Sequence, residues 1–185
     1  MYGSKLLLAL LFGSMIVAVG GAKEFCCHED KSAKDAKDPL NATFVRLKSL
    51  VGDWETATQL GDIPKGKIAS QFRLTGGGSA LTETIFPGSE LEMLSVYHRD
   101  GDQLLMTHYC VAGNQPRLRV KIGKDKDELI FEFAGGTNMD PAKDMHIHSG
   151  LIRFVDADHI HSEWEMYAGD KAHGKHSFDL VRVKK

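Results

Sequence analysis

The strongest constraint on the fold is a succession of short, apolar, β-prone runs that are joined by turn-forming residues. Three such runs near the middle of the chain are Ala80–Phe86, Leu91–His98 and Leu104–Ala112. The last two are separated by Asp100-Gly101, a dipeptide that tight hairpin turns favour because their central residues need positive φ angles. This stretch therefore predicts an antiparallel meander.

The same pattern extends over most of the chain. Besides those three runs, the candidate strands are Trp54–Gln59, Lys67–Thr75, Arg117–Ile122, Glu128–Ala134, His146–Val155, His159–Ala168 and His176–Lys184. Before them, Phe44, Leu47 and Leu50 recur at helical spacing, which predicts one short amphipathic helix from about Asn41 to Val51. Short strands in sequence with no second long helix indicate an all-β, antiparallel up-and-down barrel, because closure removes unpaired strand edges. We predict about ten strands.

Composition limits the functional classes. The chain has 185 residues, 42% hydrophobic and 26% charged, with a net charge of −2, which fits one globular domain with additional segments. The charge gives no electrostatic reason to expect a nucleic-acid partner. Three cysteines are too few, and odd in number, for a disulfide framework.

The N-terminus predicts a targeting segment. Lys5 precedes the apolar run Leu6–Val19, and small residues follow at cleavage spacing. The run is shorter than the roughly 20 residues that a membrane-spanning helix needs. We therefore expect residues 1–22 to be a signal peptide that is removed from an exported, periplasmic or secreted protein, with no membrane association after cleavage.

Residues 23–38 predict a disordered, charged linker, because they show no apolar period to bury. The linker contains Cys26-Cys27-His28, which is either an exposed tail with incidental thiols or a metal-capturing or redox pair. The barrel domain is expected to occupy residues 39–185.

Strand alternation predicts which side chains line the barrel. A two-residue Asp100-Gly101 turn would place Tyr97 opposite Leu104, and paired residues share a face. The more apolar face, which we expect to point inward, holds Leu91, Met93, Tyr97, Leu104, Met106, His108 and Cys110. Glu83 points inward in one register across Pro87–Glu90 and outward in the other.

Two pairs of histidines suggest a metal site. The first pair is His146 and His148, and the second is His159 and His161. Residues two apart on a strand point the same way, so each pair can chelate alone. However, a short turn at residues 156–158 places the pairs far apart along their strands and on opposite faces. We expect His146 and His148 to face the lumen, as candidate metal ligands, and His159 and His161 to face solvent.

Specific motifs resemble a known family. The helix leading into Val51-Gly52-Asp53-Trp54 resembles the entry to calycin barrels, which include lipocalins, fatty-acid-binding proteins and nitrobindins. The segments GGSALTETIFPG, EMLSVYHRDGD and LLMTHYCVAGNQPR resemble bacterial lipocalin-like proteins of unknown function. The resemblance covers most of residues 47–119 and implies a calycin-like, ten-stranded barrel with a central cavity. It implies no activity and no cofactor, and the late histidines do not align with the haem site of nitrobindins.

Three functions remain open. The sequence favours an exported binding protein that holds a small apolar or amphipathic molecule in the barrel, since such sites are concave, apolar and carry a few polar groups. The predicted ligand-binding residues are His108, Tyr109, Cys110, Asn114, Gln115, Glu83, Tyr97 and Trp164. The alternatives are a metal or haem protein that uses His108, Cys110, His146 and His148, and an enzyme with His108 as general base and Glu83 as its orienting partner. Asn114 and Gln115 lie in a segment that is either a plain turn or a mouth loop offering amide donors. A packed lumen would leave a purely structural or partner-binding barrel.

Overall fold

The computed structural model describes residues 38–184. The predicted signal peptide, nearly all of the linker and the Cys26-Cys27-His28 motif lie outside the described residues. Within residues 38–184, helix α1 (Pro39–Lys48) is followed by a series of strands and a 3-10 turn at Gly76–Gly78. The strands are β1 (Gly52–Thr56), β2 (Ile68–Thr75), β3 (Ala80–Ile85), β4 (Met93–Asp100), β5 (Gln103–Tyr109), β6 (Gln115–Ile122), β7 (Glu128–Thr137), β8 (His146–Phe154), β9 (His159–Ala168) and β10 (Lys171–Arg182). Within the described range, no helix is both long and apolar enough to cross a membrane.

The strands form a closed barrel. Each strand pairs antiparallel with its neighbours in sequence, and β1 pairs with β10, so no strand edge is left open. The predicted all-β, ten-stranded, antiparallel up-and-down barrel with one short N-terminal helix is therefore confirmed. The fold is consistent with a calycin-like barrel.

The hairpin between β4 and β5 differs from the prediction in register. Asp100 pairs with Gln103, so Gly101 (φ 59°) and Asp102 form the turn, and Tyr97 lies opposite Met106 rather than Leu104. The offset is an even number of residues. Because side chains alternate with a period of two, the residues of β4 and β5 keep their predicted faces. Tyr97, Leu104, Met106 and His108 are accordingly buried. Leu91, which was expected to point inward, instead precedes β4 and is 55% exposed.

Helix α1 begins earlier than predicted. The Asp38 carboxylate accepts a hydrogen bond from the Leu40 amide at 2.9 Å, which caps the helix, and Pro39 occupies the first turn, where its fixed φ is favourable. Phe44 and Leu47 are buried. The helix thereby presents an apolar face to the barrel core.

Helix α1 covers one end of the barrel, which we call the closed end. Two ion pairs join the helix region to turns at this end: Asp38 with Arg99 at 2.8 Å and Arg46 with Asp127 at 2.7 Å. On the last strand, Arg182 lies over the Trp54 ring at 4.3 Å and donates to the Val51 carbonyl oxygen at 2.7 Å. The helix and the turns on which it lies are thus joined by charged groups as well as by apolar packing.

The half of the barrel next to α1 is filled by side chains. Its fully or almost fully buried members include Trp54, Phe72, Leu81, Tyr97, Leu104, Leu118, Leu129, Ile152 and Ile160. They lie on the portions of their strands that are nearer the closed end. The other half, which ends in the β1–β2, β3–β4, β5–β6, β7–β8 and β9–β10 loops, is the open end. It contains the cavity.

Candidate functional site

A cavity of about 250 Å³ occupies the lumen toward the open end. We call it the lumen cavity. Its wall is mostly apolar and includes Ala69, Ile85, Phe86, Met93, Met106, Val111, Ile147, Trp164, Met166, Phe178 and Leu180. Its polar members are Ser70, Glu83, Ser95, His108, Cys110, Ser162 and His176. The combination of a concave apolar wall with a few polar groups is typical of small-molecule sites.

Glu83 places a carboxyl group in this wall. It pairs with Ser95 across β3 and β4 and is only 7% exposed, so the inward register is the correct one. Its two oxygens accept hydrogen bonds from the Tyr97 hydroxyl at 2.6 Å and the Ser70 hydroxyl at 2.7 Å. Burial raises the pKa of Glu83, and the two hydroxyl donors oppose that rise. We expected His108 as the partner, but Tyr97 and Ser70 fill that role.

His108 is the second titratable group of the wall, and it is 2% exposed. Its Nδ1 atom lies 3.0 Å from the Ser95 hydroxyl. Its Nε2 atom is buried and has no hydrogen-bond partner among the described residues. Burial lowers the pKa of His108 from 6.5 to about 4. The imidazole is therefore neutral at physiological pH, with one nitrogen unpaired.

Tyr97 connects the two groups. Burial, reinforced by the adjacent Glu83 carboxylate, raises the pKa of the Tyr97 phenol well above its ordinary range, and an interaction with the Ser95 hydroxyl acts in the opposite direction. His108, Ser95, Tyr97 and Glu83 thus form one buried polar chain along the wall.

Trp164 forms part of the apolar wall because of the glycine opposite it. Gly150 pairs with Trp164 across β8 and β9, and a Cβ atom at position 150 would lie 2.4 Å from Cε3 of the indole. The indole ring also packs against Phe131, with ring centroids 4.9 Å apart. Gly150 therefore leaves the space that the indole occupies.

The open end carries exposed apolar residues. Cys110 and Val111 line the lumen cavity from the loop after β5, and Val111 is 56% exposed. Leu91 and Met145, on two other loops of this end, are also more than half exposed. A wall residue that is also exposed, as Val111 is, indicates a route between the lumen cavity and solvent.

Several predicted ligand residues lie elsewhere. Tyr109 is 49% exposed, and Tyr97 is buried behind Glu83. The Asn114 amide donates to the Met145 carbonyl oxygen at 2.9 Å. The Gln115 amide donates to Gly113 and accepts from Thr137. Neither amide is among the cavity-lining groups, so both connect loops of the open end. Of the predicted set, the structure brings His108, Cys110, Glu83 and Trp164 together in the wall.

Neither His146 nor His148, both expected to face the lumen, is among the residues that line the lumen cavity. A bulge between Ile147 and Ser149 adds one residue to β8, which changes the alternation of side chains. Ile147 consequently lines the lumen cavity. The His146 Nδ1 atom donates to the Asp144 carbonyl oxygen at 2.9 Å, which leaves its Nε2 atom to accept from His148 Nδ1 at 3.1 Å.

Aromatic rings surround this histidine pair. His148 stacks between Phe133, at 5.0 Å, and Tyr167, at 4.5 Å. Burial lowers the pKa of His148, and the neighbouring His146 adds to the effect. Across residues 38–184, no group of three or more His, Cys, Asp or Glu side chains is arranged to hold a metal ion. The role of His146 and His148 as metal ligands stays a prediction.

The second histidine pair lies outside the lumen cavity, as predicted, but His161 is held in a polar network. His161 contacts Asp179 at 2.7 Å and Glu163 at 3.3 Å, and Lys175 contacts Glu163 at 2.8 Å. The hydrogen bond with Asp179 is the largest of the effects that raise the pKa of His161. This cluster stabilises the β9–β10 pair on the side away from the lumen cavity.

The serines of the wall were missed from the sequence. Ser95 lies between Met93 and Tyr97 at the period of two that defines the inward face, so alternation would have found it. Ser162 lies between Ile160 and Trp164 at the same period, whereas Ser70 adjoins an irregularity in the pairing of β1 with β2, which no local pattern marks. Phe178 and Met166 are likewise wall residues that were not proposed as ligand contacts.

No protein-family model matches this chain, and neither does any curated protein. Function is therefore inferred from the barrel and its lumen cavity.

Proposed function

We propose that this protein is an exported small-molecule-binding β-barrel that holds an apolar or amphipathic ligand in its lumen cavity, and that it is a distant relative of calycins. The observation that carries the proposal is the lumen cavity itself. It combines a largely apolar wall with Glu83 and His108, two titratable groups buried inside the same hollow. A barrel evolved only for structure would fill this space, because an unfilled cavity costs stability.

The two ends of the barrel support the same function. The closed end is filled and joined by Arg46 and Arg182, whereas the open end presents an exposed wall residue, Val111. A rigid closed end with an open mouth lets a ligand enter without unfolding of the barrel. The export part of the proposal rests on the sequence of residues 1–22, and the relation to calycins rests on the Gly52-Asp53-Trp54 entry and the closed ten-stranded topology.

An enzyme that uses His108 as general base is the alternative that the polar chain favours. Ser95, Tyr97 and Glu83 orient the imidazole much as catalytic partners do. However, efficient general bases have pKa values near the working pH, whereas burial lowers that of His108 to about 4. Such a weak base fits a hydrogen-bonding role better than proton abstraction.

Titration with N-phenyl-1-naphthylamine, a neutral dye that fluoresces in apolar surroundings, tests the binding function. We expect saturable emission with the full chain. The variant Ser162→Phe should abolish it, because Ser162 lines the lumen cavity and is 5% exposed. The matched variant Thr107→Phe adds the same ring to the face of β5 that points away from the lumen cavity, so it should keep wild-type affinity.

Circular dichroism and urea unfolding of both variants report whether the barrel is intact. Unchanged emission on mixing, or wild-type affinity in a folded Ser162→Phe variant, would overturn the proposed function. If the dye binds as expected, native mass spectrometry of protein purified from its own host would identify the natural ligand.

A further inference from the structure

The sulfur-containing side chains of the barrel are concentrated in one place. Three of the five methionines in residues 38–184 line the lumen cavity, namely Met93, Met106 and Met166. The one cysteine of that range, Cys110, lines it as well. Thioether and thiolate sulfurs are soft ligands that favour Cu(I). Methionine also fills irregular cores, so the sulfurs do not define a metal site without a further donor atom.

His108 supplies that donor atom. It belongs to the same wall, it is 2% exposed, and its Nε2 atom is buried without a hydrogen-bond partner in the described part of the chain. An unpaired buried polar atom of this kind costs about 1–3 kcal/mol. A bond between Nε2 and an occupant of the lumen cavity would recover that cost.

The pairing of β4 with β5 brings the imidazole and the sulfurs to one stretch of wall. Ser95 pairs with His108. Two residues nearer the open end, the same register places Met93 opposite Cys110, and both line the lumen cavity. On β5, the inward period of two places Met106 and Cys110 on either side of His108. Directly paired residues have Cβ atoms about 4.5–5.5 Å apart, a separation that the flexible methionine side chain can close.

The Ser95 hydroxyl supports coordination by the imidazole. A metal bond at Nε2 needs a lone pair there, and therefore a proton on Nδ1. The Ser95 hydroxyl lies 3.0 Å from Nδ1, and a hydroxyl can accept as well as donate. The contact is thus compatible with coordination whichever way the hydrogen bond runs in the metal-free protein. Metal-bound imidazoles usually donate their other N–H group to such a neighbour.

The charge balance of the wall favours a monovalent ion. Cys110 would bind as a thiolate, and its proton would pass to solvent as the bond between Sγ and the metal forms. One Cu(I) ion and one thiolate are neutral together, so they can be buried without a net charge. A divalent ion would keep a positive charge, and the carboxyl group of the wall, Glu83, is already engaged by Tyr97 and Ser70.

From the sulfur-rich wall and the unpaired imidazole we infer that the lumen cavity contains a Cu(I) site, whose ligands are His108 Nε2 and the sulfur atoms of Cys110 and Met93. Met106 can contribute a further thioether. The inference goes beyond the proposed function and does not depend on it, because a metal ion and an apolar molecule are different occupants of the same hollow.

Anaerobic titration with Cu(I), kept reduced by ascorbate, tests the site. The protein is the full chain with Cys26→Ser and Cys27→Ser, because the thiols of that motif would compete for the ion. We expect an ultraviolet thiolate-to-copper charge-transfer band that saturates at a single equivalent of Cu(I). Competition with bicinchoninate, a coloured Cu(I) chelator, measures the affinity. Zn(II) should bind far more weakly, because it does not favour thioether ligands.

Variants in that background assign the ligands. Cys110→Ser should abolish the charge-transfer band. His108→Gln and Met93→Leu should each lower the Cu(I) affinity by at least about tenfold, since even the loss of an outer partner of a metal ligand costs that much. The matched variant Met145→Leu removes an exposed thioether outside the lumen cavity and should keep wild-type affinity. Urea unfolding reports whether each variant is folded.

The outcomes separate this inference from the proposed function. The Cu(I) site is overturned if no charge-transfer band develops with excess Cu(I), if folded Cys110→Ser or Met93→Leu binds as tightly as the wild type, or if Zn(II) binds as well as Cu(I). Saturable binding of N-phenyl-1-naphthylamine would then still support the binding barrel. If Cu(I) binds through the expected ligands and the dye does not bind, the Cu(I) site stands and the proposed function is wrong.

Discussion

The imidazole of His108 and the hydroxyl of Ser95 face each other across the β4–β5 pair, with Nδ1 and Oγ 3.0 Å apart. This contact fixes one nitrogen of a buried ring and leaves Nε2 without a partner among residues 38–184. The barrel therefore presents a neutral, oriented histidine to its lumen cavity, and the polar chain ends at Glu83.

Replacement of His108 should change how stability depends on pH. Its folded-state pKa, lowered from 6.5 to about 4 by burial, means that the unfolded chain binds more protons between these values. Stability therefore rises with pH through this window and is lost on acidification, by up to about 3 kcal/mol. His108→Gln should abolish that contribution.

Urea unfolding across this pH range measures the effect as a difference between wild type and variant. The exposed His173→Gln variant should keep the wild-type profile. A wild-type profile in the His108→Gln variant would mean that the ring is not buried as described.

Tyr97→Phe should destabilise the barrel more at neutral than at acidic pH. The hydroxyl stabilises the ionised Glu83 carboxylate, and its loss leaves that acceptor without one donor, at a cost of about 1–3 kcal/mol. Burial already raises the pKa of Glu83 above 4.5, so the folded state retains its proton longer and stability falls as pH rises through that raised pKa. Loss of the Tyr97 hydroxyl, which donates to Glu83, should raise the pKa of Glu83 further, so the substitution costs more stability at neutral than at acidic pH.

Urea unfolding at about pH 7.5 and about pH 4.5, the ordinary range of a Glu carboxyl, should show the larger loss at the higher value. The matched variant Tyr109→Phe removes a hydroxyl from an exposed side chain and should stay within about 0.5 kcal/mol of wild type. Equal effects of the two tyrosine variants would contradict the buried pairing.

Gly150→Ala should displace Trp164 from the wall of the lumen cavity. The added methyl group would lie 2.4 Å from Cε3 of the indole, and overpacking of this kind costs about 1–3 kcal/mol. We expect lower stability, an altered tryptophan emission spectrum and weaker dye binding.

A double-mutant cycle with Trp164→Leu isolates the contact. In that background Gly150→Ala should be much less costly, because the smaller side chain leaves room for the methyl group. Additive effects of the two substitutions would argue against the packing of the indole on β8.

Alkylation of Cys110 should be slowed by an occupied lumen cavity. Its thiol belongs to a half-buried wall residue near the open end. In a Cys26→Ser/Cys27→Ser background, Cys110 is the remaining cysteine of the sequence. Saturating N-phenyl-1-naphthylamine should lower its rate of reaction with N-ethylmaleimide by about tenfold or more, in proportion to occupancy. A rate that is independent of the dye would place bound dye elsewhere.

Arg182→Lys should weaken the closed end without affecting ligand binding. Arg182 lies over Trp54 and donates to the Val51 and Ser49 carbonyl oxygens, and a lysine cannot reproduce this planar, multiply bonded arrangement. We expect a loss of about 1–2 kcal/mol in urea unfolding with dye affinity within about twofold of wild type. The exposed Lys184→Met variant serves as control. A large loss of affinity in the arginine variant would show that the two ends are coupled.

Local patterns in the sequence were enough to predict the class of fold, the order of strands and the inward face of β4 and β5. Alternation with a period of two and turn-forming dipeptides are local properties, so Tyr97, Met106 and His108 could be assigned to the interior before any coordinates. Even the incorrect register at the Asp100-Gly101 turn left that face unchanged, because it was off by an even number of residues.

Which polar groups meet could not be predicted from these local patterns, because it depends on how the strands pair. Ile147 rather than His148 lines the lumen cavity, beside a bulge between Ile147 and Ser149, and a single extra residue leaves no clear mark in a sequence. The bond between Ser70 and Glu83 joins the neighbouring strands β2 and β3, and it depends on the register of that pair. Contacts across the lumen, such as that between the Tyr97 and Phe131 rings with centroids 6.3 Å apart, follow from closure of the whole sheet, because closure brings residues far apart in the chain together.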